Sequence, residues 1–119
     1  MTSDQARGPA GPYSPALQVG DWIFLAGQGG FDPATGELAA TIEEQTEQAL
    51  RNVAGLLEAA GSSLGDVVSC LVHLSDLSLF PRFNEVYARH FADPKPVRTT
   101  VGAALVLGML VEITVVAVR

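Results

Sequence analysis

The stretch Leu110-Val-Glu-Ile-Thr-Val-Val-Ala-Val118, near the C-terminus, decides the fold class of this chain. It is rich in the β-branched residues that favour strands, and it is apolar at both alternating sets of positions. Because side chains of a strand alternate between two faces, both faces of this one need covering. The stretch Val67–Leu74 (VVSCLVHL) is β-branched in the same way, with Val68, Cys70, Val72 and Leu74 expected on one face. Both stretches therefore predict strands with little contact to water.

Residues 41–61 predict a long amphipathic helix. Thr41-Ile-Glu-Glu44 is a capping box, in which a hydroxyl and a carboxylate each satisfy a free amide at the helix start. Gly61 is placed to end the helix. The apolar residues of this segment fall on one stripe, namely Ile42, Ala49, Val53, Leu56, Leu57 and Ala60. The pattern indicates a helix of about five turns.

Shorter elements are predicted on either side of this helix. Pro15–Val19 and Trp22–Ala26 are apolar runs joined by Gly20-Asp21, a combination typical of a β-hairpin. A second helix is predicted from about Leu79 to Phe91, with Ser78 as its cap. Its aromatic residues recur at helical spacing, at Phe80, Phe83, Tyr87 and Phe91.

The last two strands are predicted at Arg98 to about Ala104 and at Leu110–Val118, and their short connection favours antiparallel pairing. The element order predicts an α+β fold, one mixed sheet with two helices on one face. Residues 1–119 are expected to form one domain, with residues 1–10 as a loose arm. Since two helices cover only one side of the sheet, the other apolar side predicts contact with further copies of the chain.

The composition narrows the classes of function. The net charge is −6, and seven Lys and Arg residues are spread along the chain, which disfavours nucleic-acid binding. The single cysteine, Cys70, cannot form an internal disulfide, and with only two histidines no metal-ligand cluster is expected. No membrane span or signal segment is visible, so a cytoplasmic location is predicted.

Arg98 and Glu112 are charged residues inside otherwise apolar strands, which makes them the main candidates for chemistry. If the two strands form a hairpin, a separation of fourteen residues can make them neighbours across the ladder. A structural salt bridge is the alternative, although buried ion pairs often add little net stability. The planar fork of an arginine suits two parallel hydrogen bonds to a carboxylate, so a small carboxylate-bearing substrate is predicted.

Other polar residues have plain structural interpretations. Tyr13 can be an aromatic lid over the core, Asn84 a solvated surface amide, and Gly27 a turn residue that also allows a close backbone contact with a ligand. His73 and His90 have no partner spaced as in a catalytic triad, and both are expected to be structural.

Seven segments, in order and spacing, give the chain a specific resemblance. They are Gly11-Pro-Tyr-Ser-Pro15, Ala26-Gly-Gln28, Asp32-Pro-Ala-Thr-Gly-Glu37, Gln48-Ala-Leu-Arg-Asn-Val53, Phe83-Asn-Glu-Val-Tyr87, Pro96-Val-Arg-Thr-Thr-Val101 and Leu110-Val-Glu-Ile113. Together they resemble the RidA (YjgF) family of reactive-intermediate deaminases over nearly the whole chain. The resemblance implies a chorismate-mutase-like fold, assembled as a homotrimer with sites between subunits. It also implies hydrolysis of enamines and imines, such as 2-iminopropanoate and 2-iminobutanoate, to 2-keto acids and ammonia.

The resemblance also implies residue roles. Arg98 would hold the substrate carboxylate and Glu112 would position or activate water, while Tyr13 would close the cleft from a neighbouring subunit. Gly27 would supply a backbone contact and Asn84 a polar group near the cleft. No metal or organic cofactor is required for this chemistry.

Two departures from the family pattern bear on the substrate. Many members carry cysteine where this chain has Thr100, and serine where it has Ala26. Imine hydrolysis needs no thiol, so Thr100 is compatible with the reaction and its backbone can still contact a ligand. The alternatives are a non-catalytic trimer that senses small carboxylates, a family member that acts on a different imine, and an RNA-directed activity, which the acidic charge disfavours.

Overall fold

The structure, a computed structural model, describes residues 11–119, so the predicted loose arm at residues 1–10 lies outside it. The described chain forms β1 (Ala16–Val19), β2 (Trp22–Leu25), α1 (Ile42–Ala59), β3 (Val67–Leu74), α2 (Phe80–Ala88), β4 (Val97–Gly102) and β5 (Val111–Val118). The five strands make one mixed sheet, and the predicted α+β class is confirmed. None of the helices in this part of the chain is long and apolar enough to cross a membrane.

The predicted pairing of the last two strands is wrong. The sheet order is β1-β2-β5-β3-β4, so β3 separates β4 from β5. β4 runs parallel to β3, as expected for two strands joined through a helix, and β5 runs antiparallel to β3. Residues 103–110 carry the chain across the end of β3, where Ala103 N donates to Leu74 O and Ser75 N donates to Leu110 O. The connection is short, yet it crosses a strand instead of closing a hairpin.

Helix α1 follows its sequence pattern closely. Thr41 Oγ1 accepts from Glu44 N at 3.1 Å and donates to the Glu44 carboxylate at 3.0 Å. Gly61 adopts a φ of +76°, which favours glycine, and its N–H donates to Glu58 O just past the helix end. All six residues of the predicted apolar stripe are buried against the sheet and α2. The helix therefore anchors one face of the sheet.

Two local details differ from the prediction. A register shift between Val67 and Ser69 makes Val68 the extra residue of a β-bulge, so Val68 is exposed while Val67 is buried. Helix α2 begins one residue later than expected because the chain enters it through a 3-10 turn at Leu77–Leu79. Ser78 does not cap the helix; its N–H instead donates to Asp76 Oδ1, which caps that turn.

The two faces of the sheet have different surroundings. One face packs on α1 and α2, and its central residues, such as Val72, Ile113 and Val115, are fully buried. The opposite face, called the open face below, is largely apolar and uncovered in the single chain, with Trp22 49%, Phe24 43% and Val97 70% exposed. The predicted second apolar face is therefore present.

Candidate functional site

Arg98 lies under α2, on the edge strand β4. It is paired with Cys70 of β3, so its side chain points to the helix-covered face. The guanidinium Cζ lies 4.8 Å from the ring centroid of Tyr87 and 5.5 Å from those of Phe80 and Phe83. These distances fit cation–π contacts. No carboxylate within residues 11–119 forms a salt bridge with Arg98, so the salt-bridge alternative does not hold within one chain.

A cavity of about 470 Å³ opens beside this guanidinium, lined by Leu77, Phe80, Arg98 and Thr100. Thr100 Oγ1 is buried and has no hydrogen-bond partner in the described part of the chain. Buried polar groups usually have partners, and a small pocket with apolar walls and a few convergent polar groups is the usual form of a ligand site. The free guanidinium and the free hydroxyl therefore suit a small molecule that carries a carboxylate.

Cys70 and Tyr87 form the floor below Arg98. Burial raises the pKa of the Cys70 thiol and also that of the Tyr87 phenol, so both stay neutral near pH 7. The Tyr87 hydroxyl is close to Cys70, but it makes no well-formed hydrogen bond within residues 11–119. Cys70 is 2% exposed and belongs to the hydrophobic core. The floor thus supports the contacts between Arg98 and the aromatic rings. Because the thiol and the phenol stay neutral, neither is a nucleophile.

Glu112 lies on the open face, on β5. It is paired with His73 of β3, and its side chain also reaches Gly27, which follows β2. A Cβ atom at Gly27 would lie 2.6 Å from the Glu112 Cδ atom, so the glycine leaves room for the carboxylate. Across residues 11–119, no three His, Cys, Asp or Glu side chains converge as a metal site requires.

The expectation that Arg98 and Glu112 are neighbours across a ladder is therefore wrong. Paired residues share a face, and Arg98 shares one with Cys70 while Glu112 shares the other with His73. One chain thus presents two separate groups of candidate residues, called half-sites below. The helix-side half, defined by Arg98 and Thr100, lies under α2. The open-face half, defined by Glu112 and Gly27, lies on the other side of the sheet.

Asn84 lies near Arg98 in the fold, whereas Tyr13 lies far from it. Asn84 is half-buried on α2, on the same helical face as Phe80, Phe83 and Tyr87, and so belongs with the helix-side half. Tyr13 is half-exposed and precedes β1, the edge strand farthest from β4. The structure does not bring Tyr13 to Arg98 of the same chain.

Sequence reasoning missed two buried polar residues of α1 that hold the loop before it. Gln45 Nε2 donates to Ala39 O at 2.8 Å, and its Oε1 accepts from Leu110 N at 2.8 Å. Asn52 Nδ2 donates to the carbonyls of Gly29 and Phe31, at 3.1 and 2.8 Å. Both are polar residues beside the apolar stripe of α1, and this pattern in the sequence could have revealed them. Their hydrogen bonds hold the loop that follows Gly27.

Gly30 in this loop should not tolerate a side chain. A Cβ atom there would lie 2.5 Å from the Gln45 Cα atom, and backbone cannot move aside as a flexible side chain can. We expect Gly30→Ala to lower the free energy of unfolding by about 3 kcal/mol, measured by urea denaturation at fixed protein concentration. Gly65→Ala is the matched control, because its Cβ would meet only Ser63 Oγ at 3.5 Å. Equal stabilities of the two variants would contradict the expectation.

Comparisons with known proteins agree along the whole chain. A family model described as Endoribonuclease L-PSP matches residues 3–119. A RutC family protein of Pyrococcus horikoshii is 43% identical, covering 98% of this chain and 94% of that protein. The chloroplastic Reactive Intermediate Deaminase A of Arabidopsis thaliana is 38% identical, covering 98% of this chain and 64% of that protein. The crystal structure of E. coli TdcF with bound serine is 36% identical with a TM-score of 0.94, covering 99% of this chain and 96% of that one.

Proposed function

This chain belongs to the endoribonuclease L-PSP family, which includes the RidA (YjgF) proteins it resembles, and from this premise we propose that it hydrolyses small reactive 2-imino acids. The substrates are of the type of 2-iminopropanoate and 2-iminobutanoate, with their enamine tautomers. An oxygen atom from water replaces the nitrogen at C2, and the products are a 2-keto acid and ammonia. The unpaired guanidinium of Arg98, beside an unpartnered Thr100 hydroxyl, is the observation that carries this proposal.

Arg98 binds the substrate carboxylate in this proposal. Rings of Phe80, Phe83 and Tyr87 support the cation, and the chain itself offers it no carboxylate within residues 11–119. A two-point hydrogen bond to an anion contributes roughly 1.5–3 kcal/mol and fixes the orientation of the neighbouring C=N carbon. Thr100 Oγ1 supplies a further polar contact, and Asn84 lies on the adjoining helix face.

Glu112 activates the water. As the water oxygen bonds to the imine carbon, its proton passes to the Glu112 carboxylate, and the nitrogen takes up a proton from solvent. The protonated Glu112 then returns its proton to the amine nitrogen as the carbon–nitrogen bond breaks, the nitrogen leaves as ammonia, and the remaining hydroxyl loses its proton to solvent to give the keto group. Glu112 thus alternates between base and acid, which is ordinary general acid–base catalysis.

A complete site then requires two copies of the chain, because the two half-sites lie on opposite faces of the sheet. We propose a homotrimer in which the helix-side half of one subunit meets the open-face half of its neighbour. This arrangement also covers the apolar open face, where Leu71, Trp22 and Phe24 would otherwise remain in water. Tyr13, at the far edge of the sheet, closes the cleft of the adjacent subunit.

Two relatives support the substrate class. Arabidopsis Reactive Intermediate Deaminase A carries the activity in its name, and TdcF binds serine, a small amino acid with a carboxylate. The cavity of about 470 Å³ is of a size for molecules of this kind. Leu77 and Phe80 form its apolar wall, which suits the methyl or ethyl group of the two imino acids.

The test couples threonine or serine dehydratase to the protein and follows the disappearance of the freshly released imine. We expect the wild type to accelerate hydrolysis, and Arg98→Ala to lower kcat/KM by roughly 10- to 150-fold, the loss of one charge-assisted contact. A wild type that binds pyruvate without accelerating hydrolysis would support a carboxylate sensor instead. No acceleration and no binding would overturn both.

The family description names an endoribonuclease, so RNA is the second substrate to test. Three of the described cations are already engaged: Arg82 pairs with Glu43 at 2.7 Å, Arg51 pairs with Glu47 at 2.9 Å, and Arg98 lies against aromatic rings. Phosphate binding depends on clustered, available cations. Cleavage of RNA by the wild type, lost in Arg98→Ala, would favour the ribonuclease.

A further inference from the structure

His73 is a polar residue on the open face, near the C-terminal end of β3, that the proposed reaction does not use. It stands directly opposite Glu112 on the neighbouring strand. Side chains of directly opposite residues start roughly 4.5–5.5 Å apart at their Cβ atoms, so an imidazole and a carboxylate placed this way are within reach of each other. Its other cross-strand partner, Val101 of β4, is apolar. Glu112 is thus the titratable group that faces His73 from the two adjoining strands.

Neither side chain has its hydrogen bonds satisfied. His73 Nδ1 is buried and has no partner in the described chain. The Glu112 carboxylate leans over Gly27, on the side of β5 away from β3. The backbone bonds between Gln28 and Ile113, at 2.8 and 2.9 Å, hold Gly27 there. A buried ring nitrogen without a partner costs free energy, so a role should account for it.

We infer that His73 is a positioning residue for Glu112: with ligand bound, its ring N–H donates to the carboxylate and aims it at the reacting carbon. This inference rests on the proposed function, since it concerns the same carboxylate. In the empty site the carboxylate lies over Gly27, where a side chain would exclude it. A rotation about the Glu112 side chain moves it toward β3. The imidazole donates a hydrogen bond and transfers no proton, so the balance of the reaction is unchanged.

The first test uses the imidazole nitrogen resonances, which do not depend on turnover. The chain has two histidines, and His90, bonded to Glu47 at 2.9 Å on the helix side, serves as the internal reference. We expect saturating pyruvate, the keto acid product of the smaller substrate, to shift the His73 ring signals and leave those of His90 in place. Glu112→Gln should remove most of this shift. Thr114→Val, on the same strand and face, should preserve it.

The opposite results are equally clear. A His73 signal that does not respond to pyruvate in the wild type overturns the inference. So does a response that is equal in wild type and Glu112→Gln, because the imidazole would then sense the ligand or the neighbouring subunit without the carboxylate.

Kinetics supply the second test. We expect His73→Phe, which fills the space without an N–H, to lower kcat by about 10- to 100-fold, as misplacement of a catalytic group does, with KM changed less than about twofold. His73→Gln keeps an N–H donor and should recover most of the loss. Ser69→Ala, on the same strand and face, is the control. Unchanged kcat in His73→Phe overturns the inference and leaves the proposed function intact. An inactive wild type overturns the proposed function. The histidine resonances would then still show whether His73 contacts Glu112 when pyruvate binds.

Discussion

Glu112→Gln should lower kcat for 2-iminobutanoate hydrolysis by about 10²–10⁴-fold, the usual contribution of a general base. The amide keeps the size of the side chain and can still touch a water molecule, but it cannot take its proton. In the proposed mechanism Arg98, on the other face of the sheet, binds the substrate, so KM should stay within a few-fold of the wild-type value. Stopped-flow measurement of the dehydratase-coupled reaction gives both constants.

The control for this result is Thr114→Val, an isosteric change two residues along the same face of β5. It should keep wild-type kcat and the same assembly on a sizing column. If Glu112→Gln raised KM and left kcat unchanged, the carboxylate would be a binding group, and the water would have to be activated by another residue.

Two impaired variants should recover activity when they share an assembly. If each site combines Arg98 of one subunit with Glu112 of the next, a random equal mixture of Arg98→Ala and Glu112→Gln chains has both residues intact in about a quarter of its sites. Activity should therefore rise from the residual level of either variant to about a quarter of that of the wild type. The reason is geometric: the two side chains project from opposite faces of a single sheet.

The mixture should be prepared by unfolding the two variants together and refolding them. Each variant refolded alone, and the two mixed after folding and assayed before subunits exchange, are the controls and should keep only the residual activity of the single variants. Native mass spectrometry verifies that mixed assemblies form. Mixed assemblies without activity would mean that each site draws both residues from the same chain, contrary to the proposed arrangement.

Local elements of the fold were predictable because their signals are local. The Thr41 capping box and Gly61 bracket α1, and the β-branched run of Val67–Leu74 matches β3 residue for residue. The pairing of β4 was not predictable from the short connection. The position of β3 between β4 and β5 depends on contacts between residues far apart in the sequence. The bulge at Val68 likewise depends on the partner strand, because its register is set against β5.

The candidate residues could be named from the sequence, but their placement in the fold could not. Arg98 and Glu112 stand out as charges in apolar strands, and Arg98 does lie free beside a cavity. The face that Arg98 or Glu112 occupies depends on how its strand pairs with β3. The sequence separation of the two residues does not determine that pairing. His73 was expected to be structural because a search for triads does not detect a residue that faces its partner across a strand. The catalytic roles of these residues stay predictions until the variants are measured.

The chain path over the end of β3, through residues 103–110, has a consequence for the cell. In the proposed trimer this path leaves every copy with one half of a site on each face, so a newly made chain would be inert until it met others. Specific activity should then rise steeply with protein abundance and fall on dilution below the association threshold. The expression level would then set both the number of chains and the fraction of them that is active, without an effector molecule.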